Sequence, residues 1–317
     1  MKTIWQYFIK FQNDHFHAVL YLCIALFLGV CIYLNFSMGL ERQFIQVHSG
    51  SWVKWPLMSL EMGFPFLFIC FLLYLSGANK KWISSKEFWI LFFFGFTVIG
   101  FQRGFFLHRD LVSDLPYADR YFLRKLLWWA RPLLTTFISI SLFYWFYERK
   151  RDGENHWYGL SVTGTNFKPY FLLLAFVIVG LAIGSFFNDL AEYYPRYQKS
   201  GGAAFAEKYG LGEWLTVLLY ELVYGSSFLS VELFFRGFLI LGFARILGGY
   251  AVLAMIGSYV FLHFSKPLTE CISSAFGGYL LGILTFYSRR IWGGIFLHVA
   301  LAWGMEFFAW LQKLNEP

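Results

Sequence analysis

Near the C-terminal end of the chain, Glu232 and Arg236, Tyr259 and His263, and His298 with Ala302 and Glu306 recur at four-residue spacing inside apolar runs. On a helix, residues four apart share a face. Ionisable side chains are costly in hydrocarbon, so they face a bundle interior, pair with other polar groups and mark a chemical or transport pathway. Two imidazoles and a carboxylate on three helices can activate water for hydrolysis, with the carboxylate as general base, or can conduct protons. The same set, Glu232, His263 and His298, can alternatively hold a divalent metal such as Zn as a His2Glu site. Arg236 can neutralise and orient Glu232; a buried ion pair tying two helices together is the purely architectural account of the same spacing.

The elements that must carry these groups follow from the apolar pattern. Segments at about 212–229, 230–246, 250–263, 269–286 and 291–312 each combine apolar length with polar residues, and Gly225, Ser226 and Ser227 predict a break between the first two. Lys266-Pro267 puts His263 at a helix C-terminus, and Glu270 begins the next helix, where it either reaches the same region or serves the helix dipole. Ser273, Ser274, Gly277, Gly278 and Gly282 allow close helix approach and so convergence of the flanking histidines. Upstream, spans are predicted at about 18–37, 55–76, 87–107, 126–147 and 169–188, behind a short amphipathic lead that suits the membrane surface. The polar stretch from Glu148 to Lys168 stays out of the bilayer, and the loop from Asn188 to Gly210 is either a lid or a connector. Arg131, after Trp128 and Trp129, reads as a side chain snorkelling to an interface, with an anion contact inside the bundle as the alternative.

Composition sets the environment. Of 317 residues, 58% are hydrophobic, 23% aromatic and only 14% charged, which excludes an ordinary soluble domain. The expected fold is all-α: a polytopic membrane helical bundle of about eight or nine spans, in the cell membrane. Residues 1–210 would form scaffold spans and loops, and 211–317 the chemical core of one structural unit. The net charge of +7 gathers at segment ends, as in Lys80, Lys81 and Lys86, which is membrane-flank usage and argues against a nucleic-acid partner. Cys23, Cys31, Cys70 and Cys271 have no paired spacing and read as packing residues. The first apolar run carries no cleavage site, so a removed signal peptide is not expected.

The order Val231-Glu232-Leu233-Phe234-Phe235-Arg236, then Tyr259 to His263, then His298 four residues before Ala302, resembles the CAAX-protease and bacteriocin-processing (CPBP) family of intramembrane proteases. That family's pattern is Glu-Glu-x-x-x-Arg, aromatic-x-x-x-His and His-x-x-x-Asn/Asp on successive helices. The resemblance runs from Phe228 to about Trp310. It implies hydrolysis of a peptide bond in a membrane-associated, in some members prenylated, protein or peptide, with Glu232, His263 and His298 catalytic and Arg236, Tyr259, Glu270 and Glu306 supporting. Val231 stands where the family has its first, water-activating glutamate, and Ala302 where it has Asn or Asp. Either Glu232 takes that role, or Glu270 or Glu306 supplies the carboxylate, or the chain is a non-catalytic scaffold or immunity-type protein. A proton-coupled transporter ranks third, because no internal repeat is visible.

Overall fold

The computed structural model describes residues 2–151 and 157–314, so residues 152–156 of the polar stretch lie outside the described residues. Every regular element among them is helical. In chain order these are α1 (Lys2–His15), α2 (Ala18–Met38), α3 (Lys54–Leu75), α4 (Lys86–Gly104), α5 (Tyr117–Pro132), α6 (Ile138–Phe143), α7 (Lys168–Gly184), α8 (Asn188–Tyr193), α9 (Gly202–Lys208), α10 (Glu213–Glu232), α11 (Ala244–Leu247), α12 (Tyr250–Leu262), α13 (Leu268–Ser288) and α14 (Trp292–Leu314). Seven continuous helical stretches are long and apolar enough to cross a membrane, and α7 and α12 are shorter apolar helices. The molecule is thus a polytopic helical bundle.

The helix α12 is the axis of this bundle. Eleven of its residues, from Ala251 to Phe261, are buried, and it packs against α3 and α13, so it meets little but protein. A helix surrounded in this way is apolar all round. That explains how 13 residues suffice: α12 need not match the bilayer alone. Close approach is bought by small residues: a Cβ on Gly257 would lie 3.0 Å from the Pro65 carbonyl oxygen of α3. The lead helix α1 docks by Phe11, which is fully buried and meets Tyr279 and Phe286 edge-on.

Two expectations are revised. Gly225, Ser226 and Ser227 do not break the chain: α10 continues through them into π-helical turns at Leu233–Gly242 and on to α11. The hydroxyls of Ser226 and Ser227 donate to the carbonyls of Val223 (2.8 Å) and Tyr224 (2.6 Å), which satisfies them within the helix. Gly225 gives room for the Trp303 ring instead of a turn, since its Cβ would sit 3.0 Å from that ring. The 188–210 connector is also more regular than its composition suggests, holding α8, a 3-10 turn at Tyr197–Lys199, and α9. Glu306 on α14 fastens it, accepting hydrogen bonds from the backbone N–H groups of Arg196 (2.7 Å) and Tyr197 (3.0 Å).

Candidate active site

Glu232 is the last residue of α10, at the point where the helix widens into π turns whose ten residues are all buried. Such turns are uncommon and gather at functional sites. Here they carry Arg236 under Glu232, with Nη1 3.0 Å from Oε1 and neither side chain exposed. The N–H directions do not aim at the carboxylate, and no guanidinium nitrogen of Arg236 has a hydrogen-bond partner among the described residues. The cation is held by charge and by the Tyr259 ring, 4.0 Å from its Cζ.

The same Glu232 Oε1 accepts a hydrogen bond from His298 Nδ1 at 2.9 Å. Its other oxygen is pressed against Gly294, one helical turn before His298: a Cβ there would lie 2.2 Å from Oε2. Glycine at 294 is therefore what admits the carboxylate to the α14 surface. Phe228 flanks the imidazole with ring centroids 4.4 Å apart, and the Tyr259 hydroxyl lies 3.5 Å from Nε2.

His263 caps α12 at its C-terminal end, and its Nδ1 donates to the carbonyl of Tyr259 at 2.8 Å. A carboxylate and a carbonyl can only accept, so both imidazoles carry hydrogen on Nδ1. In each neutral ring Nε2 then bears the lone pair. Both rings consequently present a proton acceptor, in one orientation fixed by the bond behind it.

Those acceptors face two cavities. The larger, about 730 Å³, runs between α5, α10, α14 and the 193–196 loop and is lined by Val231, Tyr194, Lys266, His263, Glu270, His298 and Ala302 among others. The smaller, about 330 Å³, is apolar, walled by Leu173, Phe176, Val177, Leu280, Leu281 and Leu297. His263, Glu270 and His298 line both cavities and so stand at the boundary between them.

The residues singled out from the sequence therefore fall into three groups. His263, Glu270 and His298 are at the cavities, with Tyr259 and Arg236 on the wall of the smaller one. Glu232 lines neither cavity; it is fully buried behind His298, while its neighbour Val231 faces the larger one. Glu306 is elsewhere, its two oxygens taken by the connector backbone. Ala302 lines the larger cavity but offers no donor.

Glu270 is engaged on both oxygens, by Lys266 Nζ at 3.2 Å and by the Tyr194 hydroxyl at 3.2 Å. Burial works against charge on Lys266, but the Glu270 carboxylate more than offsets it and holds the amine above the ordinary lysine range. Neither Lys266, read from the sequence only as part of the Lys266-Pro267 helix stop, nor Tyr194 was among the expected site residues. Lys266 follows the aromatic-His motif by three residues, a signal that was there to be weighed, whereas Tyr194 sits in a connector with several tyrosines and nothing to distinguish it. Arg131 is buried to 5% exposure and lines the larger cavity, so the snorkelling account gives way to a side chain turned inward.

A metal is poorly served here. Among the described residues no group of three His, Cys, Asp or Glu side chains is placed to hold one ion. Of the expected set, the one engaged oxygen of Glu232 is already shared by Arg236 and His298.

Residues 210–304 match the sequence model of the Rce1-like family, described as type II CAAX prenyl endopeptidase Rce1-like. The matched segment contains Glu232, Arg236, Tyr259, His263, Glu270 and His298 and stops short of Glu306. No curated protein and no solved structure matches the chain.

Proposed function

We propose that this protein is an endopeptidase of the cell membrane that hydrolyses a peptide bond in a lipid-modified, membrane-associated substrate, with His298 as the base. The observation that carries the reading is the Glu232–His298 couple: a buried carboxylate 2.9 Å from Nδ1, leaving Nε2 at the junction of the two cavities. A carboxylate behind an imidazole fixes its tautomer and stabilises the imidazolium that forms when it takes a proton.

In this mechanism water gives a proton to His298 Nε2 as its oxygen bonds to the scissile carbonyl carbon. The tetrahedral oxyanion accepts a hydrogen bond from the Tyr259 hydroxyl, whose ring rests on the Arg236 cation. The imidazolium then returns the proton to the leaving nitrogen as the C–N bond breaks. His263 Nε2, also an acceptor, holds the water through its second hydrogen, and Glu270 holds Lys266 at the cavity wall. Glu232 acts through His298 and is a positioning residue. The apolar cavity takes the substrate's lipid chain and the larger cavity its peptide.

The test is cleavage of a prenylated reporter peptide by the purified chain in mixed micelles. His298→Ala and His263→Ala are each expected to lower kcat by roughly 10²- to 10⁴-fold, the span of general acid–base catalysis. Wild-type turnover in both variants would remove His298 from the chemistry. A non-catalytic reading draws on one observation, the valine at the cavity wall where the family pattern has glutamate. Peptide binding with no turnover across a broad reporter set would favour it.

A further inference from the structure

The connectors at one end of the bundle are tied to one another by side chains. Asn79 Nδ2 donates to the Ile246 carbonyl at 2.9 Å, Arg245 Nη2 meets both Glu87 and Glu148, and Arg290 Nε donates to the Thr163 carbonyl at 3.0 Å. His15 is pressed against Gly249, where a Cβ would lie 2.5 Å from its Nε2, and Lys10 lies over the Tyr287 ring at 5.3 Å. Residues 1–17, 76–87, 144–151, 157–168, 243–250 and 286–292 therefore share this end. With the intervening Asp152 and Glu154 counted, these segments carry a formal charge of +7, the whole net charge of the chain; all other residues together sum to zero.

Lysines and arginines by themselves divide almost evenly between the two ends, so what separates the ends is where those side chains point. At the opposite end Arg109, Arg124, Lys125, Arg131 and Arg196 line the larger cavity, while Arg103, Lys208 and Lys266 pair with Glu41, Asp119 and Glu270. The exposed residues there carry both signs, Arg42, Arg120 and Lys199 beside Asp110, Asp114 and Glu207. At the tied end Lys80, Lys81, Lys86, Arg149, Lys150 and Lys168 are all exposed. Of its carboxylates among the described residues, Glu87 and Glu148 are taken by Arg245, which leaves Asp14. Exposed like charges repel one another and raise the local potential, so they favour a surface that supplies the opposite charge. Trp145, 47% exposed with Arg149 stacked 4.4 Å from its ring, is the kind of aromatic that sits at headgroup depth.

We propose that this end of the bundle is an anionic-lipid surface, on which Lys80, Lys81, Lys86, Arg149, Lys150 and Lys168 bind the headgroups of anionic phospholipids in the adjoining leaflet. The complementarity is one of charge and depth: basic residues at the ends of apolar helices meet phosphate oxygens that zwitterionic headgroups mask with their own cation. The proposal does not depend on the peptidase reading, because the larger cavity is lined from the opposite end, by residues 102–109, 124–136, 193–196 and 262–270 among others. It also distinguishes two uses of basic residues in one chain, turned inward around a cavity at one end and outward to the bilayer surface at the other.

The test compares two spin-labelled lipids, phosphatidylglycerol and phosphatidylcholine, for association with the full chain reconstituted in phosphatidylcholine vesicles. Phosphatidylglycerol is expected to associate about fivefold or more tightly at low salt, the worth of roughly one basic residue at an anionic surface. At about 0.5 M salt most of that preference should be screened away. Lys86→Glu, Lys150→Glu and Lys168→Glu together should bring the ratio near one, and Gln at the same three positions should lower it partway. The matched set at the opposite end, Arg42→Glu, Arg120→Glu and Lys199→Glu, should leave it almost unchanged. Phosphatidylcholine association, equal in all variants, reports that the bundle is intact. Equal association of the two lipids with the unaltered protein would overturn the proposal. So would a preference that survives the charge swap at this end, which would put the anionic lipid among the cavity arginines, or one that falls as far with the matched set, which would make it an effect of net charge alone.

Discussion

Removing the charge from Glu232 has two separable consequences. Arg236 is left as an unneutralised buried cation, which costs about 3–5 kcal/mol in stability. His298 loses the carboxylate that fixes its Nδ1 hydrogen. Glu232→Gln should therefore be both less stable and slow, whereas Glu232→Gln with Arg236→Met should recover most of the denaturation midpoint and remain at least about 100-fold slow. If the double variant recovered turnover along with stability, Glu232 would be only a structural counter-ion. Gly294→Ala probes the couple from the other side. The added methyl must displace a carboxylate held by two partners, so a drop in kcat of about 10-fold or more is expected, with a fall in unfolding midpoint smaller than that of Glu232→Gln because the charge opposite Arg236 is kept. At this scale the sequence was legible in kind but not in direction. The i, i+4 spacing paired Glu232 with Arg236, and the motif order brought His263 and His298 to one region. Nothing in one dimension told which of Val231 and Glu232 faces the cavity, because that depends on the onset of the π turns and on a glycine 62 residues away, at 294 against 232.

The connector between α7 and α10 shows how an element can be misjudged from composition. Its glycines and tyrosines suggested an irregular loop, yet a carboxylate on α14 satisfies two of its N–H groups and sets Tyr194 and Arg196 on the cavity wall. Glu306→Ala would leave both N–H groups unpartnered, at about 1–3 kcal/mol each. The expected result is faster proteolytic nicking in the 194–201 segment and a rise in KM of several-fold, with kcat changed less, because the histidines keep their own anchors. An equal loss in kcat and unchanged nicking would mean that Glu306 supports the chemistry directly. The helix breaks failed for a related reason: serine hydroxyls at 226 and 227 found carbonyls three residues back, a contact that a glycine-serine cluster in the sequence does not distinguish from a turn. Long apolar helices were legible throughout, since length and hydropathy alone require them in a bilayer.

Taken whole, the bundle holds two environments on either side of one row of polar groups, His263, Glu270 and His298. Of the cationic side chains that line the two cavities, most are on the larger; the smaller is apolar, and Phe176 at its edge is 66% exposed. Lipid tails are as apolar as the leucines lining that cavity, so moving a chain from bilayer to cavity gains little from hydrophobicity itself. Selection must come from shape. A chain shorter than the cavity leaves void, which costs roughly 24 cal/mol per Å³, and a longer one must strain its surroundings or remain outside. With substrate held at fixed mole fraction in mixed micelles, so that partitioning cancels, kcat/KM across a series of thioether chains should pass through a maximum at intermediate length. Leu281→Trp, which fills the smaller cavity, should move that maximum to shorter chains. A monotonic rise with length, unaltered by Leu281→Trp, would mean that the chain only concentrates substrate at the membrane and that the apolar cavity does not hold it.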